Sequence, residues 1–258
     1  MLGTINKAGQ VLRLFTIEHP EWGLSEIARQ LISPRSTVYE LLASLVDIGQ
    51  LSRTPQGRYR LGSHMVTFSH LFLRTSLVYQ HSADILQELS DQYNESALIS
   101  ILDDLDVVVV NTISSLISTT RYGSLNGRLP AHCTALGKVL LAECKWDEVK
   151  PVLEARGLKQ FSPNTVTQFD RLRSELEDVH RRGWAESMGE MVAGTAAISG
   201  AVRNENGVVI AALGVCLPVQ RYMDVREEVR AVVLNACARV STNLGYRDPA
   251  KTAKPTVM

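Results

Sequence analysis

The chain has 258 residues, and its 27 lysines and arginines are balanced by 27 aspartates and glutamates. This balance excludes any argument for a nucleic-acid partner from net charge, so such an argument must rest on the local distribution of charge. The length favours two domains, and no apolar run is long enough to cross a bilayer.

The four cysteines lie apart without a C-x-x-C pair, and the six histidines are scattered. We therefore expect neither a disulfide framework nor a zinc site. The first residues do not form a charged segment followed by an apolar one, as a secretory leader would. These features predict a cytoplasmic protein that needs no metal or cofactor and has no membrane partner.

The amino-terminal part carries the patterns of three helices. Apolar residues recur at helical spacing through residues 4–18, and a His-Pro pair then ends the pattern. A second helix is predicted in SEIARQL, with Ser25 as its N-cap residue. A third begins near Pro34, after Ser33 as N-cap residue, and runs to about Val46.

The third helix has two unlike faces. Its apolar residues follow the i, i+3, i+4, i+7 spacing of an inward stripe, namely Val38, Leu41, Leu42 and Leu45. The outward residues are Arg35, Ser36, Thr37, Tyr39, Glu40 and Ser44. A face that is merely solvated is usually dense in lysine and glutamate, so this one indicates a binding role.

The segment LSRTPQGRYRLG, residues 51–62, predicts a β-hairpin that carries three arginines and no acid. Three helices followed by a basic hairpin form the layout of a winged helix-turn-helix, whose third helix enters the DNA major groove. Such a helix needs hydrogen-bonding side chains for base edges, and the wing needs cations for phosphates. The candidate DNA-binding residues are Ser25, Arg35, Ser36, Thr37, Tyr39, Glu40, Ser44, Arg53, Arg58 and Arg60. The alternative is a winged-helix module used for protein contacts.

Residues 63–80 are more apolar than a lone linker helix requires. This excess predicts a linker and dimerisation helix buried against a second copy of the chain. DNA-binding proteins of this type bind as symmetric dimers, and the two halves of the DNA site follow the two-fold symmetry axis of the protein. We therefore expect a homo-oligomer, dimer or tetramer, on a pseudo-palindromic site in double-stranded DNA.

Residues 81–247 alternate groups of helices with groups of strands. The predicted helices are residues 82–93, 134–144, 146–157, 167–183 and 225–244. The predicted strands are SALISIL, DVVVVNTI, ISTTRYG, WAES, TAAISGAVR and VVIAALGVCL. This grouping predicts an α+β domain with an antiparallel sheet, after a DNA-binding domain at 1–62 and before a flexible tail at 248–258.

Three segments resemble the IclR family of bacterial transcriptional regulators. They are SPRSTVYELLASL with the wing GRYRLG, RLPAHCTALGKVLLA at 128–142, and the pattern from residue 181 to 215. Family members read close to R-x-P-L-H-A-T-A-x-G-K-x-L-L-A. The matching residues here are Arg128, Pro130, His132, Thr134, Ala135, Gly137, Lys138, Leu141 and Ala142. The resemblance covers nearly the whole chain.

The resemblance implies a winged helix-turn-helix joined to a GAF-like α/β effector-binding domain. It also implies a regulator of a catabolic operon whose DNA affinity changes when a small organic acid or aromatic metabolite binds. The implied effector-binding residues are Leu129, Ala135, Leu136, Ser187, Ala197, Gly214 and Cys216.

The effector positions depart from those of members that bind small keto acids. Alignment with the resembling pattern puts Ser187 where those members have Asp, Ala197 where they have Cys, and Gly214 and Cys216 where they have Ser. Ala201 replaces their usual Pro. These changes remove charge, donors or volume, so we expect a roomier and less polar pocket that suits a larger or aromatic effector.

An enzymatic function would need a positioned nucleophile or a metal. His132 and Cys133 are adjacent, but neighbouring residues in an extended segment point to opposite faces, so we expect no catalytic residue. The alternatives to a regulator are a protein-interaction module and a GAF-like enzyme without DNA binding.

Overall fold

The computed structural model describes residues 3–118 and 128–248. The chain forms two compact units that divide between Thr75 and Ser76. Each unit has its own buried apolar cluster. No helix of the described residues combines the length and the hydropathy needed to span a membrane.

The amino-terminal unit has helices around a short hairpin. Its elements are α1 (Gly3–Leu12), α2 (Leu24–Gln30), α3 (Arg35–Asp47), β1 (Leu51–Arg53), β2 (Tyr59–Leu61) and α4 (His64–Thr75). The core consists of the apolar stripe of α3 and at least one buried side chain from each of α1, α2, β1 and β2. This confirms the predicted helix-turn-helix followed by a wing.

Two details of the first helices differ from the predictions. Helix α1 ends at Leu12 and not near residue 18, because the Leu14 carbonyl accepts the indole N–H of Trp22 at 2.9 Å and the chain turns there. Ser25 is not the N-cap of α2. Gly23 has that position, and its backbone N–H donates to the Glu26 carboxylate at 2.7 Å.

The start of α3 is also shifted. Pro34 is its N-cap residue, whereas the hydroxyl of Ser33 donates to the Leu31 carbonyl at 3.1 Å. The predicted Ser33 cap is therefore wrong by one position. The helix still begins at Arg35, so the predicted outward face keeps its place.

The carboxy-terminal unit is an α+β domain, as predicted. Its helices are α5 (Leu77–Gln80), α6 (Ala83–Tyr93), α7 (Ala135–Leu141), α8 (Trp146–Arg156), α9 (Phe169–Arg182) and α10 (Val219–Asn243). Its strands are β3 (Ser96–Asp103), β4 (Asp106–Ile113), β5 (Arg128–Pro130), β6 (Trp184–Met188), β7 (Thr195–Arg203) and β8 (Val209–Pro218). The described strands form a six-stranded antiparallel sheet in the order β5-β4-β3-β8-β7-β6.

The sheet carries helices on both faces. Alternate residues of a strand point to opposite faces. Residues such as Leu98, Ala197 and Cys216 join the apolar cluster formed with α7, α8 and α9. Helix α10 packs against the other face, where a Cβ at Gly200 would lie 2.8 Å from the sulfur of Cys237.

Several predicted boundaries in this part change. The predicted helix over 63–80 is interrupted at Ser76, whose hydroxyl caps α5 by accepting the Tyr79 amide at 3.3 Å. Helix α10 starts at Val219, six residues before the predicted position. Strand β5 and the 3₁₀ turn Ala131–Cys133 were not predicted. The predicted strand ISTTRYG falls mainly on residues outside the described ranges, and its first two residues are not in a strand.

Candidate functional site

The outward face of α3 is open to solvent. Val38, Leu41, Leu42 and Leu45 are buried, as the periodicity predicted. All six predicted contact residues on the other face are exposed, namely Arg35, Ser36, Thr37, Tyr39, Glu40 and Ser44. The Ser44 hydroxyl donates to the Glu40 carbonyl at 2.9 Å, so it is already engaged within the helix. Ser25 of α2 is exposed as well.

The wing is fixed to the helices by backbone bonds. Trp22 and Tyr59 exchange two N–H to carbonyl bonds of 2.9 and 2.8 Å. These bonds extend the hairpin pairing beyond β1 and β2, so the wing has a defined position relative to α2.

The three wing arginines have different surroundings. Arg58 donates to the Glu26 carboxylate at 2.8 Å and to the Glu21 carbonyl at 3.0 Å, which ties the wing to the start of α2. Arg53 and Arg60 are exposed. The Arg53 guanidinium lies 6.0 Å from the Tyr59 ring centroid, and Arg60 donates to the Ser52 hydroxyl at 3.2 Å. The charges of Arg53 and Arg60 are thus more available to a phosphate than the charge of Arg58, which is paired with Glu26.

Helix α4 has no buried side chain, although it is rich in apolar residues. Val66, Phe68, Leu71 and Phe72 are each at least half exposed. Monomeric proteins rarely expose contiguous apolar surface of this kind, and it commonly marks an interface.

The structure brings the predicted effector residues together under α7. Ser187, Ala197 and Cys216 are register partners across β6, β7 and β8 and form one row. The Ser187 hydroxyl donates to the Cys133 carbonyl at 3.2 Å, so this row faces the turn that leads into α7. Leu129, Ala135 and Leu136 lie in the same apolar cluster as Ala197 and Cys216.

The amino end of α7 is capped within the chain. The Thr134 hydroxyl accepts the Gly137 amide at 3.1 Å, and the first intrahelical bond runs from the Lys138 amide to the Thr134 carbonyl. The amides of Ala135 and Leu136 precede this bond and belong to the orphan donors of a helix start.

Gly214 does not give the pocket the extra space that its small size suggests. A Cβ at this position would lie 2.2 Å from the Ile198 carbonyl oxygen and 2.2 Å from the Ser199 hydroxyl. Ser199 is the register partner of Gly214 on β7. Alignment with the family gives serine at position 214, and this chain lacks that hydroxyl. The Ser199 hydroxyl of the neighbouring strand occupies the space instead.

A buried charged cluster, which the sequence analysis did not identify, lies beside this row. Lys138 of α7 is fully buried, and its ammonium contacts Glu190 at 2.5 Å and Glu175 at 2.7 Å. Burial raises the pKa of the Glu190 carboxyl, although the charge of Lys138 acts to lower it. A single lysine within the apolar run ALGKVLLA was the signal that could have revealed this cluster.

Three buried polar atoms of the described residues have no hydrogen-bond partner there: Thr112 Oγ1, Ser199 Oγ and Glu190 Oε2. An unpaired buried polar atom is costly, and each one calls for an explanation such as a water or a bound molecule. Ser199 lies beside the row, and Glu190 is bonded to α7 through Lys138. Ser199 Oγ and Glu190 Oε2 are therefore the polar atoms that a ligand under α7 could contact.

The His132–Cys133 pair has no catalytic geometry. The segment is a 3₁₀ turn and not extended, which corrects the reason given from the sequence. His132 Nε2 contacts the Lys159 carbonyl at 3.1 Å, while burial raises the pKa of the Cys133 thiol to about 12. The four cysteines, all within the described residues, form no disulfide.

The chain combines a winged helix-turn-helix whose recognition face is open with an α/β domain that has polar groups beneath one helix. This combination defines the class of ligand-responsive DNA-binding regulators. Residues 4–55 match the IclR helix-turn-helix domain, and residues 71–242 match the carboxy-terminal domain of bacterial IclR transcriptional regulators. The chain belongs to the IclR family of bacterial transcriptional regulators, which are not enzymes.

Among the similar proteins are two regulators of Escherichia coli K12. The chain is 30% identical to KdgR over 251 residues, which cover 94% of this chain and 95% of KdgR. It is 29% identical to XynR over 248 residues, which cover 95% of this chain and 98% of XynR.

Two solved structures are similar over nearly the whole chain. An IclR transcriptional regulator from Silicibacter sp. TM1040 has a TM-score of 0.84 and 26% identity, with 97% of this chain and 100% of that one covered. An IclR homologue from Microbacterium hydrocarbonoxydans, solved with 4-hydroxybenzoate, has a TM-score of 0.79 and 27% identity, with 93% and 98% covered.

Proposed function

We propose that this regulator binds a two-fold-symmetric DNA site as a cytoplasmic homo-oligomer and is released or retained by a small carboxylated, aromatic metabolite. In this proposal residues 1–62 bind DNA, residues 63–80 form the dimer contact and residues 81–247 bind the effector. The observation that carries it is the row Ser187–Ala197–Cys216 under α7, with unpartnered buried polar atoms beside it.

On the DNA side, Arg35 is the principal base-reading residue. It is the first residue of α3, is exposed, and can bond a guanine with two hydrogen bonds. Ser36, Thr37 and Tyr39 contact base edges or phosphates, and Arg53 and Arg60 hold the backbone from the wing. The role of Arg58 in this proposal is to fix the wing through Glu26.

For the oligomer, the exposed apolar residues of α4 form the contact between two copies. Phe68 and Leu71 are more than half exposed, and burial of such side chains against a partner provides the main driving force for association. The variant Phe68→Glu is expected to be monomeric, and analytical ultracentrifugation of wild type and variant at equal concentration tests this. A wild-type chain that sediments as a monomer would refute the dimer contact.

The ligand class follows from the pocket and from a relative. The side chains at 197 and 201 are small and take up little of this face of the sheet, while Ser187, Ser199 and Cys216 supply neutral polar groups. A similar protein was solved with 4-hydroxybenzoate, which combines a carboxylate, a ring and a hydroxyl. The amides at the start of α7 can receive the carboxylate, and the row can receive the ring.

The effector test compares 4-hydroxybenzoate, benzoate and glyoxylate as additives in thermal unfolding. We expect 4-hydroxybenzoate to raise the unfolding temperature of the wild type most, because binding only to the folded state stabilises by mass action. Ala197→Leu adds side-chain volume at the centre of the row and is the matched variant expected to lose this shift. A larger shift with glyoxylate than with the aromatic acids would refute the proposed ligand class.

A further inference from the structure

The turn between α2 and α3 contains an isoleucine in an unusual state. Ile32 has a backbone φ of +47° and its side chain is 94% exposed. A positive φ is a genuine outlier for a β-branched residue, since its Cβ crowds the following carbonyl. Packing within the chain does not compensate, because the side chain is almost entirely in solvent.

The strained backbone is held by its neighbours. The Ile32 amide donates to the Arg29 carbonyl at 3.2 Å, and the Ser33 amide donates to the Ala28 carbonyl at 3.1 Å. Glycine or asparagine would adopt this conformation more easily. The presence of a large apolar side chain therefore needs a reason outside the free chain, and strained residues concentrate at functional sites.

The surroundings of Ile32 favour a polyanionic partner such as DNA. Ile32 stands between Arg29 and Arg35, which are both exposed, and no acidic residue occurs from position 27 to position 37. Arg35 has no ion-pair partner among the described residues. A cationic surface suits a polyanion and would repel a second copy of itself.

We propose that Ile32 contacts the C5-methyl group of a thymine in the major groove, next to the bases read by α3. It lies three residues before Arg35, and an apolar side chain distinguishes thymine by its methyl group. Ile32 is thus a specificity-determining residue that acts through apolar contact. This inference rests on α3 as the recognition helix.

The test starts from duplexes that the wild-type protein selects from random-sequence DNA. Each thymine of the selected motif is replaced singly by deoxyuridine, which removes only the methyl group, and the dissociation constant is measured by fluorescence anisotropy. We expect one thymine per half-site whose replacement weakens wild-type binding about fourfold, the value of one buried methyl-sized group.

Three variants separate apolar contact from backbone effects. Ile32→Gly and Ile32→Asn fit the positive φ but lack the apolar side chain, so they are expected to bind thymine and deoxyuridine duplexes equally. Ile32→Val keeps a branched apolar side chain and is expected to keep most of the preference. Ile5→Ala removes another exposed isoleucine, on α1, and is expected to behave as wild type. Relief of strain changes affinity for both duplexes alike and leaves their ratio unaffected.

The inference is overturned if no thymine shows the effect, or if Ile32→Gly and Ile32→Asn retain the same ratio as wild type. Arg35→Ala is measured beside them. If Arg35→Ala binds every selected duplex as tightly as wild type, the error lies in the assignment of α3 as the recognition helix.

Discussion

Lys138 provides the sharpest test of the energetics of the carboxy-terminal unit. Its side chain is fully buried, and its ammonium lies 2.5 Å from Glu190, whose side chain is only 8% exposed. Replacement by methionine shortens the side chain by one heavy atom and removes the charge. The Glu190 carboxylate then remains buried without a cation, whereas Glu175, with 29% of its side chain exposed, can be hydrated. Breaking a buried ion pair in this way costs about 3–5 kcal/mol of unfolding free energy.

The stability of the Lys138–Glu190 pair also depends on pH. Burial already raises the pKa of Glu190, so the folded state binds this proton more tightly than the unfolded chain does. The stability contributed by the protonated carboxyl is present below the unfolded pKa and is lost as the pH rises through the folded pKa. Without Lys138 the pKa of Glu190 rises further, and the penalty of Lys138→Met must shrink as the pH is lowered from neutrality.

Urea unfolding measures both effects. Trp146 and Trp184 report on the carboxy-terminal unit by fluorescence, and the double variant Lys138→Met with Glu190→Leu is the control, expected to recover most of the loss. A penalty for Lys138→Met below about 1 kcal/mol at pH 7, or one that grows toward acid, would refute the buried-pair account.

Three further outcomes are expected. Gly214→Ala should lower the unfolding free energy by about 1–3 kcal/mol in urea titrations, because its Cβ meets a backbone carbonyl; an unchanged midpoint would contradict this close approach. In the native protein a maleimide reagent should label the partly exposed Cys144 before the three buried cysteines, as read by peptide mass spectrometry. Arg60→Ala should reduce the slope of log affinity against log salt by about one, whereas Arg58→Ala should mainly lower the urea midpoint of the amino-terminal unit. The reverse assignment of the last two would place the phosphate contact on Arg58.

Local patterns predicted the amino-terminal unit well. The stripe from Val38 to Leu45 defined α3 because helical spacing is a property of the segment itself. The end of α1 depends on an indole bond from Trp22, and the cap of α2 depends on the carboxylate of Glu26. The Trp22 bond spans eight residues outside any regular element, so helical periodicity could not reveal it. The Glu26 bond is a local capping-box bond to a glycine N-cap, and the preference for serine as an N-cap residue pointed to Ser25 instead.

The effector-binding residues were also predicted only in part from the sequence. Ser187, Ala197 and Cys216 came from a family pattern and prove to be register partners. Register cannot be read from one strand alone, which is why Ser199 was missed: its hydroxyl fills the space opposite Gly214, and that is visible only when the strands are paired.

We infer above all that α3 binds specific DNA sequences and that a small molecule changes this binding. The most direct test of this inference is affinity capture of sheared host genomic DNA at near-physiological salt, with sequencing of the retained fragments, for wild type and Arg35→Ala, with and without added 4-hydroxybenzoate. We expect a few wild-type sites that share a two-fold-symmetric motif, are depleted for Arg35→Ala and change in occupancy with the ligand. Retention of the same fragments by both proteins, without a shared motif, would contradict it.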